Sequence, residues 1–182
     1  MINIKFFIFL KDFKFQFFVI IFLVINLFFF SQPTLSKTEN SKKSINGSGL
    51  KIPRMASLKN SLTYVRTGPG KEFPIKSEIN KKGYPVEIIA EFNNWRKVKT
   101  RSNLSGWIHT QLLSSFKTGL IVSNTFLKKR PLDSSKDLAK LLPDLLIKIK
   151  KCKLTWCYIE VIKNKNFFGW VKMKNIWGFT SK

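Results

Sequence analysis

The sequence predicts an all-β protein in which two tandem small β-barrels follow an N-terminal signal peptide. Three observations carry this prediction: an apolar run near the N-terminus, alternation of apolar and polar residues beyond residue 54, and an internal repeat of about 60 residues. The 182 residues suffice for two units of that size and exclude a large multi-domain enzyme. A hydrophobic content of 44% excludes a chain that stays disordered through low hydrophobicity.

Residues 1–36 are interpreted as a secretory signal peptide. Lysines precede the apolar run FQFFVIIFLVINLFFF at residues 15–30, which is shorter than the ~20 residues of a spanning helix. Cleavage is expected after Ser36, although Ser31 also fits a small-residue cleavage site. The alternative is an uncleaved N-terminal anchor, which would then be the chain's only contact with a membrane. In either case the rest of the protein is expected in the periplasm, free or attached to the inner membrane.

A polar segment separates this region from the repeats. Residues 37–53 are rich in Ser, Asn, Lys and Gly and show neither helical nor strand periodicity, which is typical of a flexible linker. Two copies of about 60 residues follow, predicted at residues 54–115 and 116–182. Three matched pairs define the repeat, at offsets of 62, 61 and 63 residues: Pro69 and Pro131, Trp95 and Trp156, Trp107 and Trp170.

Each copy alternates as a half-buried antiparallel sheet does. The inward positions of the two copies correspond: Val86, Ile88 and Val98 match Ile147, Ile149 and Ile159. Asn93-Asn94 predicts a tight hairpin turn because Asn tolerates left-handed backbone angles. Residues 137–146 are the one segment with helical character, although Pro143 argues against a long helix and for a turn entering the next strand. Small closed barrels are expected, since closure removes sheet edges.

The only two cysteines are Cys152 and Cys157, in the segment KCKLTWCY. A hairpin turn between them would bring their Cβ atoms to bridging distance, and such a pair persists in an oxidising compartment. A disulfide is therefore expected, with a pair of reduced, half-buried thiols as the alternative. A zinc site is disfavoured because the single histidine, His109, is remote in sequence.

Four segments of the first copy resemble bacterial SH3-like (SH3b) domains. They are VRTGPG at residues 65–70, GYPV at 83–86, NWRKV at 94–98 and GWIH at 106–109. The chain is most similar to tandem exported proteins of alphaproteobacteria, and the second copy departs from the pattern at Arg130-Pro131-Leu132. The resemblance implies small β-barrels of the cell envelope that bind peptidoglycan or attach to other proteins.

The residues that catalysis requires are scarce. A nucleophile and base arrangement would depend on His109 alone, and both cysteines are expected to be bonded. Gly68-Pro69-Gly70-Lys71 lacks the glycine spacing of a phosphate-binding loop. The protein is therefore predicted not to be an enzyme, and no cofactor or metal is expected.

Aromatic side chains on a shallow barrel surface are the candidates for ligand binding. Trp95 and Trp156 follow turns, so part of each ring is expected to be exposed, whereas the Gly-Trp pairs also fit a packing role. Arg66 is the polar candidate, with a salt bridge to Glu72 or Glu78 as the alternative. The predicted ligand-binding residues are Tyr64, Arg66, Tyr84, Trp95, Trp107 and Trp156. Peptidoglycan is the expected partner, and an envelope protein is the alternative.

The formal net charge of +23 admits a rival class, an electrostatic binder of an anionic envelope polymer or membrane surface. Nucleic acid is disfavoured by the export signal. Most of the 33 basic residues are Lys, whereas bidentate recognition of phosphate prefers Arg. A surplus of Lys with Phe, Ile and Asn is also what a biased composition produces, so the charge has two interpretations.

Overall fold

The computed structural model describes residues 47–163 and 166–179, which form two antiparallel sheets of seven strands each. The predicted signal peptide and most of the predicted linker lie outside the described residues. The first sheet contains β1 (Arg54–Leu58), β2 (Leu62–Arg66), β3 (Ile75–Asn80), β4 (Pro85–Phe92), β5 (Trp95–Lys99), β6 (Ser105–His109) and β7 (Leu113–Ser114). The second contains β8 (Thr118–Ile121), β9 (Thr125–Lys128), β10 (Asp137–Leu141), β11 (Leu146–Lys153), β12 (Trp156–Val161), β13 (Phe168–Lys172) and β14 (Ile176–Trp177).

The two sheets have the same topology. The strand order is β3-β2-β6-β5-β4-β1-β7 in the first and β10-β9-β13-β12-β11-β8-β14 in the second, so each strand has its equivalent seven strands later. A single 3-10 turn precedes the last strand in both, at Thr110–Leu112 and at Met173–Asn175. The repeat read from the sequence is therefore a repeat of the fold.

The expectation of closed barrels is wrong, whereas residues 137–146 contain the turn into the next strand that Pro143 predicts. The hydrogen-bonded order of each sheet is open, because the two-residue strands β7 and β14 pair only with β1 and β8 and do not reach the opposite edge. Residues 137–146 hold no helix: β10 pairs with β9, and a turn with Asp144 in the left-handed region then leads into β11. The cross-strand partner and Pro143 override the weak helical character of this segment.

Each sheet wraps around its own apolar core. The inward positions named above are buried in both copies, as alternation along a half-buried strand requires. The first core is built on Leu58, Val65, Val86, Ile88, Val98 and Ile108. The larger second core includes Ile121, Leu127, Leu141, Ile147, Ile149, Ile159 and Val171.

The predicted hairpins are present and share the same irregularity. In β4–β5 the register shifts between Ile88 and Ala90, and in β11–β12 it shifts at the equivalent place, between Ile149 and Lys151. The first turn of β4–β5 has Asn93 at φ 48°, as its sequence predicts. A bulge repeated in both copies bends each long hairpin so that it can cover a small core.

The Gly-Trp pairs have a packing explanation. A Cβ placed on Gly106 would lie 2.7 Å from the carbonyl oxygen of Arg66, and one on Gly169 would lie 2.7 Å from that of Lys128. Only glycine lets β2 approach β6, and β9 approach β13, at these two positions. The following tryptophan of each pair then points to the opposite face of the sheet.

The two sheets are joined by polar contacts. The Thr118 hydroxyl donates a 2.7 Å hydrogen bond to the carbonyl oxygen of Gly83, which has φ +77°. Arg101 forms a 2.6 Å ion pair with Asp144 and also donates to the carbonyl oxygen of Val122. These contacts hold the second copy against the 81–85 turn of the first.

Candidate functional site

A row of cross-strand neighbours runs across the outer face of each sheet. The first row consists of Lys97 on β5, Trp107 on β6 and Arg66 on β2, which face one another in register. The second row consists of Lys151 on β11, Tyr158 on β12, Trp170 on β13 and Lys128 on β9. The strand neighbours of Lys97, Trp107, Tyr158 and Trp170 are buried, so alternation of the pleat turns these four side chains outward.

The second row holds an aromatic cluster with a cation over it. The Tyr158 and Trp170 rings meet edge to face at 5.4 Å between centroids, and Phe168 lies 6.2 Å from Tyr158. The Lys151 ammonium nitrogen is 5.8 Å from the Tyr158 centroid and 5.9 Å from that of Trp170. Such contacts fix the rings in place and put positive charge beside flat, half-exposed apolar surface.

The basic residue at the far end of each row supports a loop. The Arg66 guanidinium donates a 2.6 Å hydrogen bond to the carbonyl oxygen of Phe73, in the loop between β2 and β3. Lys128 does the same in the second copy, where its ammonium donates to the carbonyl oxygen of Asp133 and pairs with Asp137 at 2.6 Å. The repeated arrangement indicates that both residues position these loops, and the described ion pairs of Arg66 include neither Glu72 nor Glu78.

The two turn tryptophans differ in exposure. Trp95 is half-buried and meets His109 edge to face at 5.3 Å. Trp156 is only 9% exposed, and the Lys172 ammonium lies 5.5 Å from its ring centroid. The expectation that both rings are partly open is therefore wrong for Trp156, because Lys172, its register partner on β13, lies over its ring.

The two tyrosines predicted for the site lie in different places. Tyr64 is 43% exposed and lies two residues before Arg66 on the same face of β2. Tyr84 lies where the two sheets meet, in a cavity that it lines with Arg101, Ser102 and Asp144. Burial raises the pKa of Tyr84, and the nearby Asp144 carboxylate adds to the increase while Arg101 opposes it. Its hydroxyl therefore stays protonated at neutral pH.

Of the predicted binding residues, the structure brings Tyr64, Arg66, Trp95 and Trp107 to the outer face of the first sheet and leaves Tyr84 and Trp156 apart from them. Sequence reasoning missed Tyr158, Phe168 and Lys151. A signal existed for Tyr158, because it alternates with the apolar Cys157 and Ile159 and lies 61 residues after Lys97, the offset of the two hairpins.

Residues 60–114 match the family model of the bacterial SH3 domain. This part of the chain is a bacterial SH3 domain. The match covers β2 to β7 of the first sheet, and the second sheet repeats the strand order of this SH3 domain. The Gly-Trp pair and the first row both lie within the matched residues.

Solved structures similar to the chain include three proteins of low identity. NlpC2 from Trichomonas vaginalis is 12% identical, with 69% of this chain and 48% of that one covered and a TM-score of 0.31. NlpC1 from the same organism is 12% identical, with 72% of this chain and 48% of that one covered and a TM-score of 0.32. An NlpC/P60 family protein from Bacillus cereus ATCC 10987 is 13% identical, with 68% of this chain and 55% of that one covered and a TM-score of 0.31. The chain spans about half the length of each of these proteins, and no curated protein sequence matches it.

Within residues 47–163 and 166–179, no three His, Cys, Asp or Glu side chains gather as metal ligands would. In that same part of the chain, no helix has the length and apolarity needed to cross a bilayer. His109 lies two residues after Trp107 at the end of β6, and its Nδ1 accepts a 3.4 Å hydrogen bond from the Gln111 amide.

Proposed function

We propose that the protein is an exported, non-enzymatic binding module of the cell envelope and that its ligand is peptidoglycan. The observation that carries this proposal is the bacterial SH3 domain at residues 60–114, followed by a second sheet of the same topology. The duplication presents a second outward row of aromatic and basic side chains on the same chain. Two linked weak sites bind a polymer far more tightly than either does alone.

The chemistry of both rows suits such a polymer. Aromatic rings such as Trp170 and Tyr158 offer flat apolar surface on which the C–H face of a sugar ring can stack. Peptide stems that carry free carboxylates would meet the ammonium groups of Lys97 and Lys151. The excess of 33 basic over 10 acidic residues attracts a polyanion to the whole surface and raises the rate of encounter.

The cellular location is part of the proposal. Residues 1–36 would direct export to the periplasm, and the Cys152–Cys157 disulfide is of the kind that persists in that oxidising compartment. Uncleaved, the same segment would attach the module to the inner membrane, within reach of the cell wall.

Retention on purified sacculi tests the proposal. We expect the double change Lys151→Gln with Phe168→Ser to reduce retention about tenfold, because it removes a cation of the second row and the exposed ring that lies beside Tyr158. Both side chains are exposed, so the fold is expected to survive. The matched control, Lys140→Gln with Leu142→Ser, removes the same charge and one exposed apolar side chain outside both rows.

Three results would contradict the proposal. The first is equal retention of the two double variants. The second is loss of all retention in about 0.5 M salt, because salt screens a purely electrostatic attraction. The third is release of soluble muropeptides by the purified protein, which would make it an enzyme.

A further inference from the structure

The most exposed large apolar side chains of the described residues gather at one place. Leu154 is 86% exposed, Phe116 68% and Leu50 62%, and all three line one cavity of about 630 Å³. The cavity lies between β1 of the first sheet and the β11–β12 turn of the second, with Met55 and Met173 in its walls. We call it the apolar cleft. Exposed apolar side chains that cluster in this way mark an interaction surface.

Leu154 is out of place as an ordinary turn residue. Its φ is +52°, a left-handed conformation that costs a bulky side chain energy and that the equivalent Asn93 of the first hairpin adopts easily. The turn is held by the Cys152–Cys157 disulfide between register partners. The second hairpin thus keeps a strained residue whose apolar side chain faces solvent, and strain of this kind concentrates at functional positions.

Positive charge surrounds the apolar cleft. Each of its three exposed apolar residues has a solvent-exposed lysine next to it in the chain, namely Lys51, Lys117 and Lys153. Arg54 also lines the wall, but its charge is paired with the buried Glu91 carboxylate, so among the described residues the three lysines supply the unpaired positive charge of the rim. The lining contains neither Asp nor Glu. Apolar tips within a basic rim are complementary to a surface that is apolar beneath and anionic on top.

From these features we infer that the apolar cleft is a membrane-docking face, with Leu50, Phe116 and Leu154 entering the headgroup region of an anionic lipid bilayer and the adjacent lysines meeting its phosphates. The position of Leu50 agrees with this, since the described chain begins at residue 47, beside the cleft, and the apolar run at residues 15–30 precedes it. The inference is independent of the proposed function, because the cleft contains no residue of either row.

Hydrogen exchange of the full chain, reconstituted in vesicles, tests this inference locally. Vesicles with about one-third phosphatidylglycerol are compared with pure phosphatidylcholine, so that the N-terminal apolar run is accommodated equally in both. We expect slower amide exchange in residues 48–51, 115–118 and 153–156 only on the anionic vesicles. The change Phe116→Ser with Leu154→Ser should abolish this protection, whereas Leu132→Ser with Leu142→Ser, which are 55% and 59% exposed and lie outside the cleft, should preserve it.

The lysines provide a second measurement. Replacing both Lys117 and Lys153 by Gln should weaken binding to the anionic vesicles by about fivefold per lysine, and Lys136→Gln with Lys140→Gln serves as the control. Protection that is equal on neutral vesicles, lies elsewhere, or is absent would overturn the inference, as would protection of the same residues by purified sacculi alone. Sacculus retention without vesicle protection would refute this face and leave the proposed function standing. Vesicle protection without retention would do the reverse.

Discussion

The β4–β5 and β11–β12 hairpins occupy the same place in the two sheets and are closed by different chemistry. In the first, Glu91 faces Arg96 across the ladder, and their side chains form a 3.0 Å ion pair. In the second, the equivalent register partners are Cys152 and Cys157, which form the expected disulfide. An inward-facing cross-strand position has thus been filled once by a buried ion pair and once by a covalent bond.

The ionic version draws in more of the chain. Arg54 on β1 also pairs with Glu91, and the single Ser48 hydroxyl hydrogen is shared between its two carboxylate oxygens, each 2.9 Å from the Ser48 Oγ. Burial opposes ionisation of the carboxyl, but the hydrogen bonds from Ser48 and Arg54 and the charge of Arg54 outweigh it, so the pKa of Glu91 lies below its usual value. Three strands and the linker end converge on one carboxylate.

The disulfide needs no such partners, and its surroundings differ accordingly. Cys157 belongs to the apolar core of the second sheet, where an isolated ion pair would be poorly solvated. The comparison teaches that this hairpin position requires a cross-strand link rather than a particular residue type. We therefore expect acid to destabilise the first sheet and a reductant to destabilise the second.

Glu91→Gln should have the largest effect. The change leaves Arg54 and Arg96 without their shared carboxylate, and breaking a buried ion pair from one side costs about 3 kcal/mol of unfolding free energy. Urea denaturation at neutral pH measures the loss. Glu87→Gln, on the same strand but half-buried and outward, should cost much less, and an equal loss in both would show that the network contributes nothing special.

The sign of the pH dependence follows from the lowered pKa. Because the folded pKa of Glu91 lies below the unfolded one, its contribution is complete above the unfolded value of about 4.5 and is lost as the pH falls through the folded value. The Glu91→Gln protein should therefore lose less stability than the wild type on acidification in that window.

Cys152→Ser with Cys157→Ser should have the next largest effect. Removing a cross-link that closes so short a loop costs about 2 kcal/mol. Urea denaturation with and without dithiothreitol is the measurement, and reductant should destabilise the wild type and leave the double variant unchanged. If dithiothreitol also destabilises the double variant, its effect does not come from this disulfide. The Glu91→Gln protein, which keeps both cysteines, should lose as much unfolding free energy on reduction as the wild type.

Leu154→Asn should have the smallest effect and the opposite sign. It places at φ +52° the residue type that the first hairpin uses at φ 48°, so we expect a gain of about 0.5 kcal/mol. The thermal midpoint before and after reduction is the measurement, with the larger gain expected once the disulfide is gone. A loss of stability would mean that the Leu154 side chain makes stabilising contacts in the apolar cleft.

Much of the fold was predictable because the repeat and the alternation both depend on local geometry. The inward residues, the Asn93 turn and the disulfide follow from strand periodicity and from turn chemistry that a short segment fixes by itself. The helical character at the start of residues 137–146 does not predict their conformation, because pairing with β9 makes Asp137–Leu141 a strand. Closure failed as a prediction because it depends on how far the terminal strands extend, which no local pattern specifies.

The candidate site was predictable in part. Arg66 and Trp107 were named from their motifs, and they are register partners. Their neighbour Lys97 was missed, and so were Lys151, Tyr158 and Phe168 of the second copy, because these groupings depend on register across several strands. Trp156 is less exposed than its position after a turn predicts, since Lys172 on another strand lies over its ring.

Local sequence patterns specify two tandem sheets, their hairpins and the residues that face each core, because a period of two and a turn residue act over a few neighbouring positions. Such patterns do not specify that Glu91 and Arg96 are the ionic counterpart of the disulfide, or that Leu50, Phe116 and Leu154 meet around one cleft. These groupings join residues far apart in the chain, and long-range register and packing of one sheet against the other bring them together.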